Sequence, residues 1–396
     1  MTFPNETLPK GRKQKTTALY DRFINQGAVM GDSFGLENVL WFANNKEDAY
    51  EEPTIKRSRS HNYVSKEVIN VRENVGVIEV ANFSKHEFKG PDARKFLDFI
   101  MAGRLPKPGR ISLSPMLSYR GKLCGDLTVT CLDENEFIVF GSGAAQEMHR
   151  RWFESHLGKF NVNYNNRSDE FHGLSIAGPN SRKVLEKIVR EDISNEKFKF
   201  RDSRRMFVGG VPAIVNRISF TGELGYEIYV APHYQIKLYE ELIQAGKEFT
   251  IKPFGGRALM SMRLEKNWGA WTLDYRPDFT AKETGLDTFI NWNKEFIGKE
   301  NAKKDNSTNK IVPLIVETNE IDVTNNEAVV NGKDSIGYVT SGGFAHYVNK
   351  SVAFTFLDQN KINYDNKIQI EINGDLFNCS LIKDSLYDPT GQKMRS

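Results

Sequence analysis

A unit of strand, turn and helix occurs twice in this chain, and this repeat constrains the fold more than any other feature. The segment F-K-G-P-D-A-R-K-F-L-D-F-I (Phe88 to Ile100) returns eighty-eight residues later as I-A-G-P-N-S-R-K-V-L-E-K-I (Ile176 to Ile188). Each copy predicts a strand that ends at glycine and a helix whose first residue is proline, where the missing N–H costs nothing. Two copies indicate a duplicated α+β module and not a solenoid.

The last part of the chain has a different pattern. From residue 311 onwards, short apolar runs are separated by Asn-Gly pairs at 331–332 and 373–374, which are strong hairpin signals. This pattern predicts a small antiparallel β-barrel or sandwich. The sequence therefore predicts an α+β protein in three parts: a leader or linker segment (1–60), a region of two α+β subdomains (61–300) and, after a linker at 301–310, a β domain (311–396).

Composition excludes several classes of function. The net charge is only +3, which does not favour nucleic acid or an anionic membrane surface. No run approaches the eighteen apolar residues of a membrane span, and three cysteines are too few for a disulfide framework, so a reducing, cytoplasmic setting is expected. The basic residues of the leader are expected to be solvated, and Trp41-Phe42 is expected to pack onto the body of the protein. These basic residues are Lys10, Arg12, Lys13, Lys15, Lys56, Arg57 and Arg59.

Two apparent ligand motifs are interpreted structurally. His149 and His156 lie on one face of a predicted helix without an acidic or cysteine partner, so they are expected to be solvated residues and no metal site is predicted. Gly141-Ser142-Gly143 follows a predicted strand, but Gln146 stands where a dinucleotide fingerprint has a small residue. A tight strand-to-helix turn is therefore preferred over a nucleotide site.

Asp126 interrupts a strand in the run S-Y-R-G-K-L-C-G-D-L-T-V-T-C-L (Ser118 to Leu132). Leu123, Leu127 and Val129 share one face of this run, which is the period-2 pattern of a half-buried strand. Aspartate is depleted in strands, because its side chain competes for backbone hydrogen bonds. This carboxylate is therefore either exposed at a strand end or held in place for a function.

A second carboxylate, Glu223, stands between glycines in T-G-E-L-G-Y-E (Thr221 to Glu227), and an arginine-containing helix is predicted at 255–266. Two such carboxylates suit a nitrogen heterocycle, because one can accept paired hydrogen bonds from an amino-pyrimidine edge and the other can take a proton at a reacting amine. From the residues alone, Glu223 and Asp126 could equally be turn residues with solvated side chains.

Taken in order, a set of segments resembles the tetrahydrofolate-dependent aminomethyltransferases, the family of the glycine cleavage T-protein. The resemblance is stronger still to the folate-binding C-terminal half of dimethylglycine and sarcosine dehydrogenases. The segments include G-A-V-M-G-D-S-F-G-L-E-N-V-L-W-F, R-L-P-K-P-G-R-I, G-D-L-T-V-T, F-T-G-E-L-G-Y-E, S-M-R-L-E-K, E-F-I-G-K-E, S-G-G-F-A-H-Y-V-N-K-S and S-L-Y-D-P-T-G.

The resemblance implies a three-domain, cloverleaf-like fold around a folate channel, with 61–300 as the folate-binding region and 311–396 as the barrel. Asp126 matches the family's essential aspartate near folate N10. Glu223 matches the glutamate that pairs with the pterin, with Gly222 in its turn, while Tyr226 and Arg263 match positions that line the site. Leu113 and Tyr119 depart from the family pattern on the substrate side.

The implied function is a tetrahydrofolate-dependent one-carbon transferase acting on a small methylated amine such as dimethylglycine or sarcosine, or on a glycine-cleavage-like aminomethyl donor. No G-x-G-x-x-G unit precedes the folate region, so a separate flavoprotein dehydrogenase is expected to supply oxidised carbon. Two alternatives remain open. In the first alternative, the chain is a non-catalytic folate-binding subunit of such a dehydrogenase. In the second, it is a redox-neutral sulfonium or methoxy demethylase.

Overall fold

The computed structural model describes residues 11–363 and 365–396. Its helices are short apart from three of twelve or more residues. They are α1 (Tyr20–Asn25), α2 (Ser60–Glu73), α3 (Ala93–Ile100), α4 (Gln146–Leu157), α5 (Ser181–Glu186), α6 (Gln235–Gly246), α7 (Gly256–Glu265), α8 (Ala281–Thr284), α9 (Lys299–Lys303) and α10 (Gln392–Arg395).

The strands form a hairpin, two larger sheets and a closed barrel. They are β1 (Ala28–Ser33), β2 (Leu36–Phe42), β3 (Gly76–Glu79), β4 (Phe83–Lys89), β5 (Arg110–Leu117), β6 (Leu123–Asp133), β7 (Glu136–Ser142), β8 (Asn163–Asn166), β9 (His172–Ala177), β10 (Ser203–Val208), β11 (Val211–Asn216), β12 (Gly225–Val230), β13 (Lys252–Pro253), β14 (Asn309–Val316), β15 (Ala328–Asn331), β16 (Asp334–Ala345), β17 (Lys350–Asp358), β18 (Ile368–Ile372) and β19 (Asp375–Leu381).

The two larger sheets bury separate cores. In the six-stranded sheet, β10-β11-β12-β9-β3-β13, one core packs against α1, α5 and α6 and another against α2 and α7. In the five-stranded sheet, β5-β6-β7-β4-β8, the core packs against α3 and α4. Ile138 and Phe140 of β7 join the core beneath α2 and α7, so the two sheets are packed onto each other.

The repeated unit folds alike in both copies, as predicted. β4 passes through Gly90 into α3, and β9 passes through Gly178 into α5, with backbone φ angles of +133° and +131°. The predicted position of the prolines is wrong, because the helices begin at Ala93 and Ser181, two residues after each proline. The chain already turns at each glycine, where φ is positive, and the proline that follows lies between this turn and the first helical residue.

We expect Gly178→Ala to lower the free energy of unfolding by about 2–3 kcal/mol. Its φ of +131° is unfavourable for alanine, and a Cβ there would lie 2.6 Å from the carbonyl oxygens of Val71 and Asn74. Gly210→Ala is the matched control, since its φ is also positive (+78°) but a Cβ would meet nothing within 4 Å. Urea unfolding measures both, and equal losses would contradict the steric argument.

The C-terminal domain is a closed barrel with strand order β14-β17-β16-β15-β18-β19, which decides between the barrel and the sandwich. Asn373-Gly374 forms the predicted turn between β18 and β19. At the other pair, Asn331 is still in β15 and the turn is Gly332-Lys333. The predicted linker at 301–310 is shorter than expected, because α9 extends into its first residues and β14 begins at Asn309.

The first described residues are more structured than a solvated leader. Trp41 is fully buried, as predicted, and its indole N–H donates to Glu51. The prediction of solvation is wrong for Arg12 and Arg57, because both are mostly buried against carboxylates. Arg57 forms two hydrogen bonds of 2.8 and 2.9 Å with Asp322 of the C-terminal domain. Lys10 lies outside the described residues.

Two further findings concern the described residues only. None of their helices has the length and apolarity that crossing a bilayer requires. The cysteines, at positions 124, 131 and 379, form no disulfide.

Candidate active site

Asp126 lies in β6, directly opposite Pro115 of β5. Leu123 and Leu127 are fully buried, as the alternating pattern predicted, and Asp126 falls on the other face of the strand. Its side chain is partly exposed. The strand therefore presents this carboxylate away from the core of the five-stranded sheet.

The environment of Asp126 favours its protonated form. Burial raises the pKa of Asp126 to about 7, and only its own backbone N–H acts in the opposite direction. Among the described residues, no lysine, arginine or histidine forms an ion pair with it. A carboxyl group with this pKa exchanges its proton near neutral pH, which is what a general acid or base requires.

Tyr275 connects Asp126 with the next part of the site. Burial raises the pKa of Tyr275 well above its usual range, and the negative charge of Asp126 raises it further. The Tyr275 hydroxyl accepts a 3.2 Å hydrogen bond from the N–H of Gly269. The charges of Asp274 and Arg263 act on the same phenol, so Tyr275 lies between these two residues and Asp126.

Arg263 is fixed on the C-terminal half of α7. Its guanidinium donates to Asp274 at 2.8 Å and to the Ser341 hydroxyl at 2.9 Å. Asp274 in turn accepts hydrogen bonds from the hydroxyls of Ser341 and Thr340. These contacts tie the helical region to the barrel strand β16, because Thr340 and Ser341 belong to that strand.

Glu223 is buried and paired, so the alternative of a solvated turn residue is wrong for it. Arg72 of α2 donates to Glu223 Oε1 at 2.9 Å, and the Tyr387 hydroxyl donates to the same oxygen. Glu223 Oε2 accepts no hydrogen bond from the described residues. One carboxylate oxygen is therefore held by the protein, while the other is available to a ligand.

Arg72 is the centre of this second cluster. It donates to Glu265 at 2.6 Å and to the Thr221 carbonyl at 2.7 Å, in addition to Glu223. The Tyr387 ring lies 3.8 Å from the guanidinium carbon, a distance suited to a cation–π contact. One arginine therefore forms ion pairs with two buried carboxylates.

Gly222 provides the close approach that this turn needs. Its φ is +84°, and a Cβ would lie 2.5 Å from Cγ of Lys266. Lys266 donates to the backbone carbonyls of Tyr387 and Asp388 at 3.1 and 2.6 Å. A larger residue at 222 would displace this lysine and with it the segment that carries Tyr387.

The two clusters meet at α7. Arg263 and Glu265 are two residues apart on this helix, so they point to different sides of it. Arg263 is hydrogen-bonded to Asp274, and the charges of Asp274 and Asp126 both act on Tyr275. On the other side of the helix, Arg72 donates hydrogen bonds to both Glu265 and Glu223. The helix α7 thus carries one residue of the Arg72 cluster and one residue of the Asp274 cluster.

Tyr226 occupies a different environment from these residues. It is fully buried in β12, stacked on Phe198 at a ring distance of 6.0 Å, and its hydroxyl accepts a 3.2 Å hydrogen bond from Arg182. These contacts include neither Asp126 nor Glu223. Two surface hollows, one lined by Lys199 and Arg395 and the other by residues of α1 and α6, also contain neither carboxylate.

The prediction for His149 is wrong, because this residue is buried and not solvated. His156, in contrast, is partly exposed and lies 2.8 Å from the Tyr119 hydroxyl. Gly141-Ser142-Gly143 is the predicted turn from strand to helix, with the Ser142 hydroxyl accepting from the N–H of Ala144. Among the described residues, no group of three or more potential ligands is arranged to hold a metal ion.

Several residues of the site were not assigned a role from the sequence: Arg72, Glu265, Asp274, Tyr275 and Tyr387. Glu265 and Tyr387 lie within the segments S-M-R-L-E-K and S-L-Y-D-P-T-G, which were a usable signal. Arg72 had no such signal, because it lies in an ordinary amphipathic helix far from Glu223 in sequence.

Comparisons with known proteins agree on one family. A family model described as the GCVT N-terminal domain matches residues 19–294, and a model described as the glycine cleavage T-protein C-terminal barrel domain matches residues 309–388. The aminomethyltransferase T of the glycine cleavage system from Bartonella henselae superposes with a TM-score of 0.81 at 21% identity, covering 95% of this chain and 99% of that one.

Curated relatives of two kinds are similar to the chain. Mitochondrial dimethylglycine dehydrogenase of Mus musculus is 33% identical over 393 residues, covering 97% of this chain and 45% of the relative. An aminomethyltransferase of Thermoanaerobacter pseudethanolicus is 28% identical over 330 residues, covering 82% of this chain and 89% of the relative. The chain thus spans about half the length of the dimethylglycine dehydrogenases that it matches.

Proposed function

Because this chain belongs to the glycine cleavage T-protein family, we propose that it is a tetrahydrofolate-dependent one-carbon transferase acting on a small methylated amine. The substrate class follows the names of the relatives, which include dimethylglycine dehydrogenases and aminomethyltransferases. Dimethylglycine, sarcosine or an aminomethyl donor of the glycine cleavage type would each fit this class.

The observation that supports the proposal best is the contrast between the two carboxylates. Asp126 has a pKa of about 7 and no cation partner among the described residues, whereas Glu223 is held by Arg72. Carboxylates in such different environments suit different tasks. Asp126 is assigned proton transfer, and Glu223 is assigned ligand binding.

The residues at Glu223 fit a reduced pterin. Oε2 is the oxygen that accepts no hydrogen bond from the described residues, and an amino-pyrimidine edge offers N–H donors to such an oxygen. Arg72 orients the carboxylate through its 2.9 Å contact, and Gly222 allows the tight turn that presents it. Arg263, fixed by Asp274, is assigned to the wall of the site between the two carboxylates.

Tetrahydrofolate, when bound, supplies the amine nitrogens that take up the one-carbon unit. Asp126, as the carboxylate, would accept the proton that the amine nitrogen loses when its lone pair forms the new bond to carbon, while the bond from that carbon to the donor's nitrogen breaks and its electron pair stays on the donor nitrogen. Tyr275 is assigned a position near Asp126 while that carboxyl group holds the proton, and its hydroxyl already accepts a hydrogen bond from the N–H of Gly269.

We expect Glu223→Gln to weaken tetrahydrofolate binding by at least about tenfold, because a charged hydrogen bond is worth about 1.5–3 kcal/mol. Turnover at saturating folate should change less than affinity does. Fluorescence titration with tetrahydrofolate, under reducing and anaerobic conditions, measures the dissociation constant.

Glu227→Gln is the matched control for this variant. Glu227 is also buried, in the next strand of the same sheet, but it bonds to Tyr229 and not to Arg72. An unchanged dissociation constant in Glu223→Gln, or an equal loss in Glu227→Gln, would contradict the assignment of Glu223 as the pterin anchor.

A second function is favoured by one observation, the similarity of the chain to proteins named dimethylglycine dehydrogenase. In this alternative the chain is a non-catalytic folate-binding subunit that works with a separate flavoprotein dehydrogenase. A third possibility, a redox-neutral demethylase of sulfonium or methoxy compounds, would need no such partner.

One experiment separates the three functions. The purified chain is incubated with tetrahydrofolate and a panel of methylated amines, sulfonium compounds and methoxy compounds, with and without a dimethylglycine-oxidising flavoprotein. A folate adduct formed from an amine supports the proposed transferase. Adduct from sulfonium or methoxy compounds supports the demethylase, and no adduct under any condition, with folate still bound, supports the binding subunit.

A further inference from the structure

His149 lies directly behind the strand that carries Asp126. It belongs to α4, is 1% exposed, and its Nε2 atom is 2.9 Å from the carbonyl oxygen of Cys124. A carbonyl oxygen only accepts hydrogen bonds, so Nε2 must carry the proton. Burial lowers the pKa of His149 to about 4, which agrees with a neutral imidazole at physiological pH.

The strand β6 needs such a contact because its ladder is incomplete at this point. β7 pairs with β6 at Thr128 and beyond, whereas no pairing with β7 includes Leu123 to Leu127. On the other side, the residue opposite Asp126 is Pro115, which has no N–H to donate. The backbone around Asp126 is therefore held by fewer ladder hydrogen bonds than the rest of the strand.

Two glycines leave the space that the imidazole of His149 occupies. A Cβ on Gly125 would be 2.9 Å from His149 Nε2, and a Cβ on Gly141 would be 3.1 Å from His149 Cε1 and Nδ1. One glycine is in β6 and the other is in β7, so the ring occupies the space where these strands separate. The absence of a side chain at Gly125 thus leaves room for the imidazole of His149.

The rest of the environment keeps the ring in place. Phe153 of the same helix, Trp271 and His86 surround it, with ring centroids 6.1–6.2 Å away. His86 is itself buried and bonds through Nδ1 to the Tyr164 hydroxyl at 2.9 Å. Three rings therefore border the imidazole of His149, and its hydrogen bond to the described residues is the one to Cys124 in β6.

From this geometry we infer that His149 is a positioning residue, which aims the Asp126 carboxylate by holding the Cys124 carbonyl from behind the strand. This inference rests on the proposed function, in which Asp126 transfers the proton. Cys124 is two residues before Asp126, and their side chains lie on the same face of β6. A shift of the carbonyl therefore moves the carboxylate, and a displacement of about 1 Å is enough to lower turnover substantially.

The test compares His149→Leu with His149→Gln. Leucine removes the donor, whereas the glutamine amide reaches about as far as Nε2 and can donate to the same carbonyl. We expect His149→Leu to lower kcat about tenfold with little change in the KM for tetrahydrofolate, and His149→Gln to recover most of that loss. His172→Leu is the control for removing a buried histidine, because His172 lies in β9 of the other sheet and its hydrogen bond is to Gln235 of α6.

A second readout does not depend on turnover. Carbon-13 NMR titration of the Asp126 carboxyl should show its pKa falling by about one pH unit in His149→Leu, as the loosened strand admits water, but not in His149→Gln or His172→Leu. Gly125→Ala should reproduce the effect of His149→Leu, because its Cβ displaces the imidazole. If His149→Leu does not fold, this variant decides the question.

The inference is overturned if folded His149→Leu or Gly125→Ala retains the wild-type kcat and the wild-type Asp126 pKa. It is also overturned if His149→Gln is as impaired as His149→Leu, since the ring and not the hydrogen bond would then matter. Failure of the proposed function is distinguishable: no substrate would yield a folate adduct, while the NMR titration would still report whether His149 holds Asp126.

Discussion

Asp126→Asn is expected to lower kcat by at least about a hundredfold, because general acid or base catalysis contributes about 10²–10⁴ to a rate. Asparagine keeps the shape of the side chain but cannot accept a proton. The dissociation constant of tetrahydrofolate should stay within about threefold of the wild-type value, because binding is assigned to Glu223. Single-turnover formation of the folate adduct, with folate binding measured in parallel, is the direct assay.

The pH dependence of the wild type gives an independent check. With a pKa of about 7, Asp126 loses its negative charge as pH falls below neutrality, so turnover should decline on the acidic side with an apparent pKa near 7. This acidic decline should be absent from the residual activity of Asp126→Asn. A decline centred near pH 4 in the wild type would contradict the raised pKa of Asp126.

The same variant should be more stable than the wild type at high pH. The pKa of Asp126 is higher in the folded protein than its ordinary value of 3.8, so folding loses stability as pH rises from about 4 to about 7. Asparagine does not ionise, and Asp126→Asn should therefore gain about 1–2 kcal/mol at pH 8 and nothing at pH 4.

The matched control is Asp133→Asn, the same substitution at the exposed end of the same strand. It should change neither turnover nor the pH dependence of stability. Near-wild-type activity in Asp126→Asn would remove the catalytic assignment, and a loss of folate binding in that variant would show that Asp126 acts in binding.

Arg72→Leu is expected to lower the free energy of unfolding by about 3–5 kcal/mol, which is the usual cost of leaving a buried charge without its partner. Arg72 forms ion pairs with both Glu223 and Glu265, and all three side chains are buried. Burial raises the pKa of Glu265, while Arg72 opposes that rise. Without Arg72, Glu265 should fold more easily in its protonated form.

The loss in Arg72→Leu should therefore be larger at pH 8.5 than at pH 5.5. Urea unfolding at the two pH values measures it. Arg150→Leu is the control, because Arg150 pairs with Glu147 and Glu154 on an exposed helix face, where such pairs contribute less than about 1 kcal/mol. Equal losses in the two variants, or a loss that is independent of pH, would contradict the view of Arg72 as the buried centre of the cluster.

Local patterns in the sequence were enough for most of the architecture. The repeat at Phe88 and Ile176 predicted two similar strand-turn-helix units, and both are present. The glycine-marked hairpins predicted a C-terminal barrel or sandwich, and the domain is a closed barrel. These features depend on side-chain periodicity and turn chemistry over a few residues, which the sequence displays directly. The glycine cleavage T-protein family was likewise identified from ordered segments, and the comparisons confirm it.

Local sequence patterns identified only part of the candidate site. Asp126 and Glu223 are conspicuous because each interrupts a strand pattern beside glycine, but nothing local to Glu223 indicates that its partner is Arg72, 151 positions earlier. Whether a carboxylate is solvated or buried depends on which distant helix packs over it. Tyr226 shows the converse, since it lies close to Glu223 in sequence yet bonds to Arg182 in the core.

His149 shows most clearly what the sequence determined and what tertiary structure decided. Its sequence neighbours predict a helix, and a helix forms, but the same neighbours gave no reason to bury the ring. Its burial depends on Gly125 and Gly141, two residues on different strands that become adjacent only when the sheet is assembled. Short-range periodicity therefore determined the helices and strands, whereas the packing of distant residues decided the protonation and hydrogen bonding of the groups at the site.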